Sequence, residues 1–170
     1  MLILGIDPGT ATTGYGFVKV EGSSYEAIKW GLIETNKTVK PERRLESIYK
    51  QTISILNEYG PNIMAIEKLF FATNAKTAMR VGQAYGVMLL AAAKTKTGVI
   101  EYAPGTIKKI VSGNGRADKK EVQKSVRKFL GADVRSKKKH KTHFDNAADA
   151  LAVAVCHARI KNYSDKKPST

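Results

Sequence analysis

Met1-Leu2-Ile3-Leu4-Gly5-Ile6-Asp7-Pro8-Gly9-Thr10 opens the chain, and its last residues decide how the rest is read. An apolar run delivers a single acid, Asp7, and Pro8 and Gly9 then turn the chain sharply. An aspartate at the end of a buried strand is costly unless a charge or a hydrogen-bonding group meets it. Taken alone, Asp-Pro-Gly is equally a plain surface turn. The reading depends on whether other acids reach the same place.

Outward from that turn, residues 2 to 7 read as a first strand. Gly14–Val20 is a second, with small and large residues alternating. Gly22-Ser23-Ser24 is a hairpin turn and Tyr25–Ile33 a third strand, so the domain opens as an antiparallel meander. Pro41-Glu42 starts a helix, on which Leu45, Ile48, Tyr49, Thr52, Ile53 and Leu56 recur at helical spacing until Gly60-Pro61. Asn62–Ile66 is short and continuously apolar, which suits a buried central strand reached by a crossover, and Glu67 stands at its end. A long helix follows over Thr73–Lys94, with Ala75, Ala78, Val81, Gly82, Tyr85, Leu89 and Ala92 near one stripe. Gly98–Tyr102 is the fifth strand. Pro104 starts a short helix, Ser112-Gly113-Asn114-Gly115 is a flexible turn, and Asp118 caps a helix that Gly131 ends. Arg135–Lys141 is a strongly basic loop. The last helix runs from His143 or Phe144 to about Lys161. These elements make one α/β domain over residues 1–161, without repeats or a second domain. Residues 162–170 are expected to be a polar, disordered tail.

A chain of 170 residues with 42% hydrophobic content can bury a sizeable core. Its formal net charge of +14 implies a polyanionic partner, nucleic acid first and an anionic membrane second. No stretch approaches the ~20 apolar residues of a transmembrane helix, and no basic segment precedes a hydrophobic one as in a signal peptide. Cys156 is the only cysteine, which excludes an internal disulfide and a cysteine-based zinc site. A cytoplasmic protein is expected.

Two central strands thus end in acids, Asp7 and Glu67, and neighbouring strand ends can bring carboxylates within a few ångströms. The final helix adds Asn146 and Asp149, three apart and on one face, within Phe144-Asp145-Asn146-Ala147-Ala148-Asp149-Ala150-Leu151-Ala152. Its alanines would let the helix backbone pack tightly on the sheet. Asp149 is then either a half-buried ligand or an exposed residue on an alanine-rich helix. Clustered carboxylates need cations to stay ionised. All-oxygen ligation suits Mg²⁺ or Mn²⁺. Two such ions roughly 4 Å apart activate water and stabilise the leaving oxygen in phosphodiester hydrolysis.

The chain resembles the RuvC family of bacterial Holliday-junction resolvases over roughly residues 1 to 160. Five motifs in the family's order carry the resemblance. They are Leu4-Gly5-Ile6-Asp7-Pro8-Gly9-Thr10, Ile66-Glu67-Lys68-Leu69-Phe70-Phe71, the stretch from Gly82 to Ala93, the stretch from Gly113 to Val122, and Asp145-Asn146-Ala147-Ala148-Asp149-Ala150-Leu151-Ala152. The resemblance implies a ribonuclease H-like fold with a mixed five-stranded sheet flanked by helices. It also implies a homodimer, cleavage of four-way junction DNA with two Mg²⁺ ions (or Mn²⁺) per site, and cooperation with the RuvA–RuvB branch-migration complex. Twofold enzyme symmetry matched to twofold substrate symmetry would give paired nicks.

By motif position Asp7, Glu67 and Asp149 match three of the family's four metal-binding acids, and the fourth position is Asn146. An amide offers a carbonyl oxygen but no charge, so metal affinity should fall. Three explanations fit: an engineered inactivation, a natural change with Asp145 or His143 helping, or a site that works with three acids. Asp145 is about 100° around the helix, an imperfect substitute.

The resemblance also assigns DNA contacts. Phe70 matches an aromatic that stacks on an unpaired base at the junction centre, a contact worth ~1–3 kcal/mol. Phe71 adjoins it, and either is otherwise a core residue. Lys108 and Lys119 match basic residues near the scissile phosphate, where Lys119 would act in catalysis. Each is otherwise a solvated lysine. By their charge and place, Arg80, Lys109, Arg116 and Lys120 are candidate backbone contacts, and the run of Lys137, Lys138, Lys139 and Lys141, otherwise a solvated loop, would place phosphate-binding charge beside the last helix. His143 reads as a cap or a nearby base, while His140, His157 and Cys156 read as structural.

Overall fold

Strand alternation sets the layers. In β1 (Leu2–Asp7), Ile3 faces one side of the sheet and Leu4 and Ile6 the other. β2 (Thr12–Glu21) continues the pattern, with Val18 and Val20 on the Ile3 side and Phe17 opposite. In β4 (Ile63–Glu67) Ala65 shares the first face, and Met64 and Ile66 the second. By the same period of two, Asp7 and Glu67 both belong to the first face. This computed structural model describes residues 1–69, 75–131 and 141–165, the side chains of 76, 141–145 and 163–165 excepted.

β2 pairs antiparallel with β1 and with β3 (Ser24–Glu34), while β1, β4 and β5 (Gly98–Tyr102) run parallel. The order is β3-β2-β1-β4-β5, the expected mixed five-stranded sheet. The parallel pairs need crossovers, and α1 (Pro41–Tyr59) and α2 (Ala75–Lys94) supply them. Both helices cover the Leu4 side, where Phe17, Ile48, Leu56, Met64 and Met88 fill the core. α3 (Pro104–Ser112), α4 (Lys119–Leu130) and α5 (Lys141–Asp165) cover the Ile3 side.

The helix ends behave as their residues dictate. Gly60 and Gly113 end α1 and α3 in the left-handed conformation, at φ 54° and 84°. Asp118 caps α4 in a capping box: the Glu121 amide donates to Asp118 Oδ1 at 2.8 Å, and the Asp118 amide donates to Glu121 Oε2 at 2.9 Å.

Three expectations shift. α5 begins at Lys141 and continues to Asp165, so residues 162–165 of the expected tail are helix. The reason lies in Asn162, whose Nδ2 donates to the Gly22 carbonyl at 3.1 Å and the Tyr25 hydroxyl at 2.9 Å, tying the helix end to the β2–β3 hairpin. On α2 the buried stripe is Ala84, Met88, Ala91 and Ala92, and a Cβ on Gly82 or Gly86 would meet nothing within 4 Å. Among the described residues, therefore, nothing packs closely on those glycines. Thr73 and Asn74, the expected start of α2, lie outside the described residues, as do Phe70, Phe71 and residues 132–140. Among the described residues no helix is long and apolar enough to cross a membrane.

Candidate active site

Because β1 and β4 are parallel neighbours with Ile6 opposite Ile66, their carboxyl ends are level, and Asp7 and Glu67 emerge side by side. α5 is seated directly on β1 and β2. A Cβ on Gly5 would stand 2.0 Å from the Ala150 carbonyl oxygen, and one on Gly14 2.1 Å from that of Asn146. Gly14 is the register partner of Asp7, so backbone contact sets how near the helix comes to that acid. Ala147, Ala148 and Ala150 are buried beneath the helix. Asp149, on its rim, completes a cleft of about 280 Å³ with Asp7, Glu67, Lys108 and Lys119, walled by Ile107 and Val122.

The cleft is short of positive charge. Three carboxylates face two ammonium groups, leaving one negative charge over when all are ionised. Burial, then Glu67, then Asp149 push the Asp7 carboxyl up to about 7, against the opposing pull of Lys119. Burial and then Asp149 raise Glu67 as well, with Lys108 opposing. Lys119 Nζ lies 2.7 Å from Asp149 Oδ2, a cation standing among the acids. A hard divalent ion fits this all-oxygen donor set. Among the described residues, however, no three acidic, histidine or cysteine side chains already converge on one point as a closed metal cage. Mg²⁺ suits such an open arrangement, because it retains waters and takes phosphate oxygens as ligands.

The other assigned residues are placed as follows. Asn146 is half-buried one turn before Asp149 and does not line the cleft. Lys120 is exposed beside Lys119, and Lys109 and Arg116 are exposed near Lys108 and the α3–α4 turn. Arg80 lies away from the cleft on α2, in a second concavity. Phe70, Phe71, Lys137, Lys138, Lys139 and His140 lie outside the described residues, as do the side chains of Lys141, His143 and Asp145. His157 is core: its Nδ1 is 2.8 Å from the Tyr102 hydroxyl, and burial, then Lys161, lowers its pKa.

The clamp on the loop after Asp7 escapes sequence reading. Thr13 Oγ1 accepts from the Gly9 amide at 3.1 Å and donates to the Gly9 carbonyl at 2.8 Å. Arg44 Nη2 and Thr35 Oγ1 both donate to the Thr10 carbonyl at 2.7 Å. No local pattern announces contacts that span up to 34 residues.

Comparison with known proteins gives one answer. The family model described as crossover junction endodeoxyribonuclease RuvC matches residues 3–157. RuvC of Natranaerobius thermophilus is 44% identical over 159 residues, covering 94% of this chain and 95% of that protein. RuvC of Moorella thermoacetica is 48% identical over 167 residues, covering 98% and 96%. Thermus thermophilus RuvC, solved in complex with a Holliday junction substrate, superposes with a TM-score of 0.86 at 30% identity, covering 99% of both chains. The ribonuclease H-like architecture expected from the motifs is therefore present, and the chain belongs to the RuvC family of crossover junction endodeoxyribonucleases.

Proposed function

We propose that this chain is a structure-selective DNA endonuclease that resolves four-way junctions by paired, metal-dependent nicking during recombination and repair in the cytoplasm. The observation that carries the reading is the cleft in which Asp7, Glu67 and Asp149, from three different elements, meet Lys108 and Lys119 on a chain of net charge +14.

Asp7, Glu67 and Asp149 would hold Mg²⁺, with the amide oxygen of Asn146 as a neutral neighbour. Two bound ions, Mg²⁺ or Mn²⁺, would supply an activated water and charge neutralisation at the leaving oxygen. The chain's own contribution is positioning and charge. The clamped Gly9–Thr10 loop fixes the exit of Asp7. Ile107 and Val122 exclude water from one wall. Lys119, poised at the first turn of α4, exchanges Asp149 for the scissile phosphate and stabilises its developing charge. Lys108 opposes the upward push that burial and Asp149 exert on Glu67. Lys120 adds a backbone contact, and Phe70 with Phe71, just beyond Glu67, would supply the stacking surface for unpaired bases.

Paired nicking calls for a homodimer, and the open face of α2 around Gly82 and Gly86 suits close approach of a second helix. Delivery of junctions by RuvA–RuvB completes the reading. A second reading, a junction binder with weakened catalysis, is favoured only by the missing charge at Asn146.

One assay separates them: nicking of a synthetic four-way junction in Mg²⁺ or Mn²⁺ by this chain beside Asn146→Asp. Nicking by both is expected, with the variant needing less metal. Nicking by the variant alone makes this chain a binder. Binding without nicking by either overturns the roles of Asp7, Glu67 and Asp149.

A further inference from the structure

A second cleft, larger than the catalytic one at about 380 Å³, opens on the α1–α2 side of the sheet. The loop leaving Asp7 borders both: Asp7 lines the catalytic cleft and Thr10 the second. Its cations are Lys37, Arg44 and Arg80, and no acid stands among the described residues that line it. Arg44 is held in place, with Nε donating to Thr35 Oγ1 at 3.0 Å and Nη2 to the Thr10 carbonyl at 2.7 Å. Val39 and Met79 form an apolar rim and are 42% and 68% exposed.

We propose that this groove is a second phosphodiester track, which holds the junction strand on its way to or from the scissile phosphate. The proposal rests on the nuclease reading above. Three cations without a lining acid select a polyanion, and the apolar rim suits the sugars between phosphates. The loop from Asp7 to Thr10 links the rims of the two clefts. Three residue steps separate Asp7 from Thr10, a reach of at most ~11 Å. At ~3.4 Å rise per nucleotide, the Thr10 edge of the groove would meet phosphates about three nucleotides from the cut. Arg44 acts through the loop as well as toward the strand, so Lys37 and Arg80 are the residues that report on the track alone.

The test combines Lys37→Ala and Arg80→Ala with four-way junctions that carry a single neutral methylphosphonate linkage, stepped one to six nucleotides to either side of the cleavage position. Binding is read by mobility shift over a salt series, and thermal melting checks that the variants fold. The double variant is expected to flatten the logarithmic salt dependence by ~1.8, the value for two lost phosphate contacts. Lys29→Ala, on the exposed face of β3, should leave it unchanged. Neutral linkages about three nucleotides from the cut, on one side, should weaken binding by the unaltered protein and add no further loss in the double variant. Additive losses at every step, or an equal effect from Lys29→Ala, would overturn the track. Arg80→Lys should restore most of the slope, and failure to do so removes Arg80 from it. If the unaltered protein neither binds nor nicks the unmodified junction, the nuclease reading itself has failed.

Discussion

The two faces of the sheet are packed by opposite means. On the α1–α2 side, long side chains such as Leu4, Ile6, Phe17, Met64 and Met88 fill the space between strand and helix. On the α5 side, Gly5 and Gly14 let helix carbonyls touch the strands, and alanines alternate with Leu151, Val153 and Val155 along the buried helix. A layer of side chains adjusts to a lost methyl group by small shifts of rotamer. Two backbones in contact have no such freedom. The acids stand on the unadjustable side, which ties their spacing to the main chain.

The largest effect should come from the chemistry itself. Asp7→Asn removes the central charge of the cleft at nearly constant volume and should cut nicking by at least ~10²–10³-fold. Junction affinity should stay nearly unchanged, because phosphate contacts elsewhere carry it. Denaturing gels of nicked product beside mobility shifts would measure both, and a parallel loss of affinity would count against the separation of roles.

Gly5 and Ile6 then test the faces directly, being neighbours in sequence on opposite sides. Gly5→Ala drives a methyl group into the Ala150 carbonyl and should cost ~3 kcal/mol or more while lowering the nicking rate. Ile6→Val, on the side-chain layer, should cost ~1 kcal/mol and leave nicking nearly intact. Chemical denaturation gives the stabilities; equal costs would dissolve the contrast.

The smallest effect is on the pH dependence of folding. In the unfolded chain Asp7 titrates near 3.8, whereas the folded cleft holds its proton up to about 7. Between these values the folded state binds more protons than the unfolded one. Asp7 therefore contributes stability at low pH that is lost as pH rises from about 4 through about 7. In chelator the unaltered protein should melt progressively lower across that window, and Asp7→Asn should flatten the trend. Added Mg²⁺ should raise the melting temperature most at the alkaline end. Identical profiles for the two proteins would remove Asp7 as the source.

Much of this was legible in the chain because it is local. A strand period of two, a proline-glycine turn and a capping box each declare themselves within a few residues, and with them the positions of Asp7, Glu67 and Asp118. Asp149 was legible as a question, since an aspartate within an alanine-rich helix is explained only by what it faces. The ion pair from Lys119 to Asp149, the hold of Arg44 on Thr10 and the anchoring of Asn162 on the β2–β3 hairpin join segments 30, 34 and 140 residues apart. Such contacts follow from the assembled fold, and no window of sequence contains both partners. Gly5, Gly14 and Gly16 signalled small residues in strands, but only the seated helix explains why a methyl group is excluded there.

That seat has a mechanical consequence. The carbonyls of Asn146 and Ala150, one turn apart, rest over Gly14 and Gly5 like a key in its slot. Sliding α5 by a single residue would turn it about 100° and carry Leu151 away from its place over Gly16. The helix thus has one notch in which to sit, and the depth of Asp149 is indexed to it. A metal pocket gauged in this way keeps its dimensions through changes in the softer, side-chain-filled half of the protein.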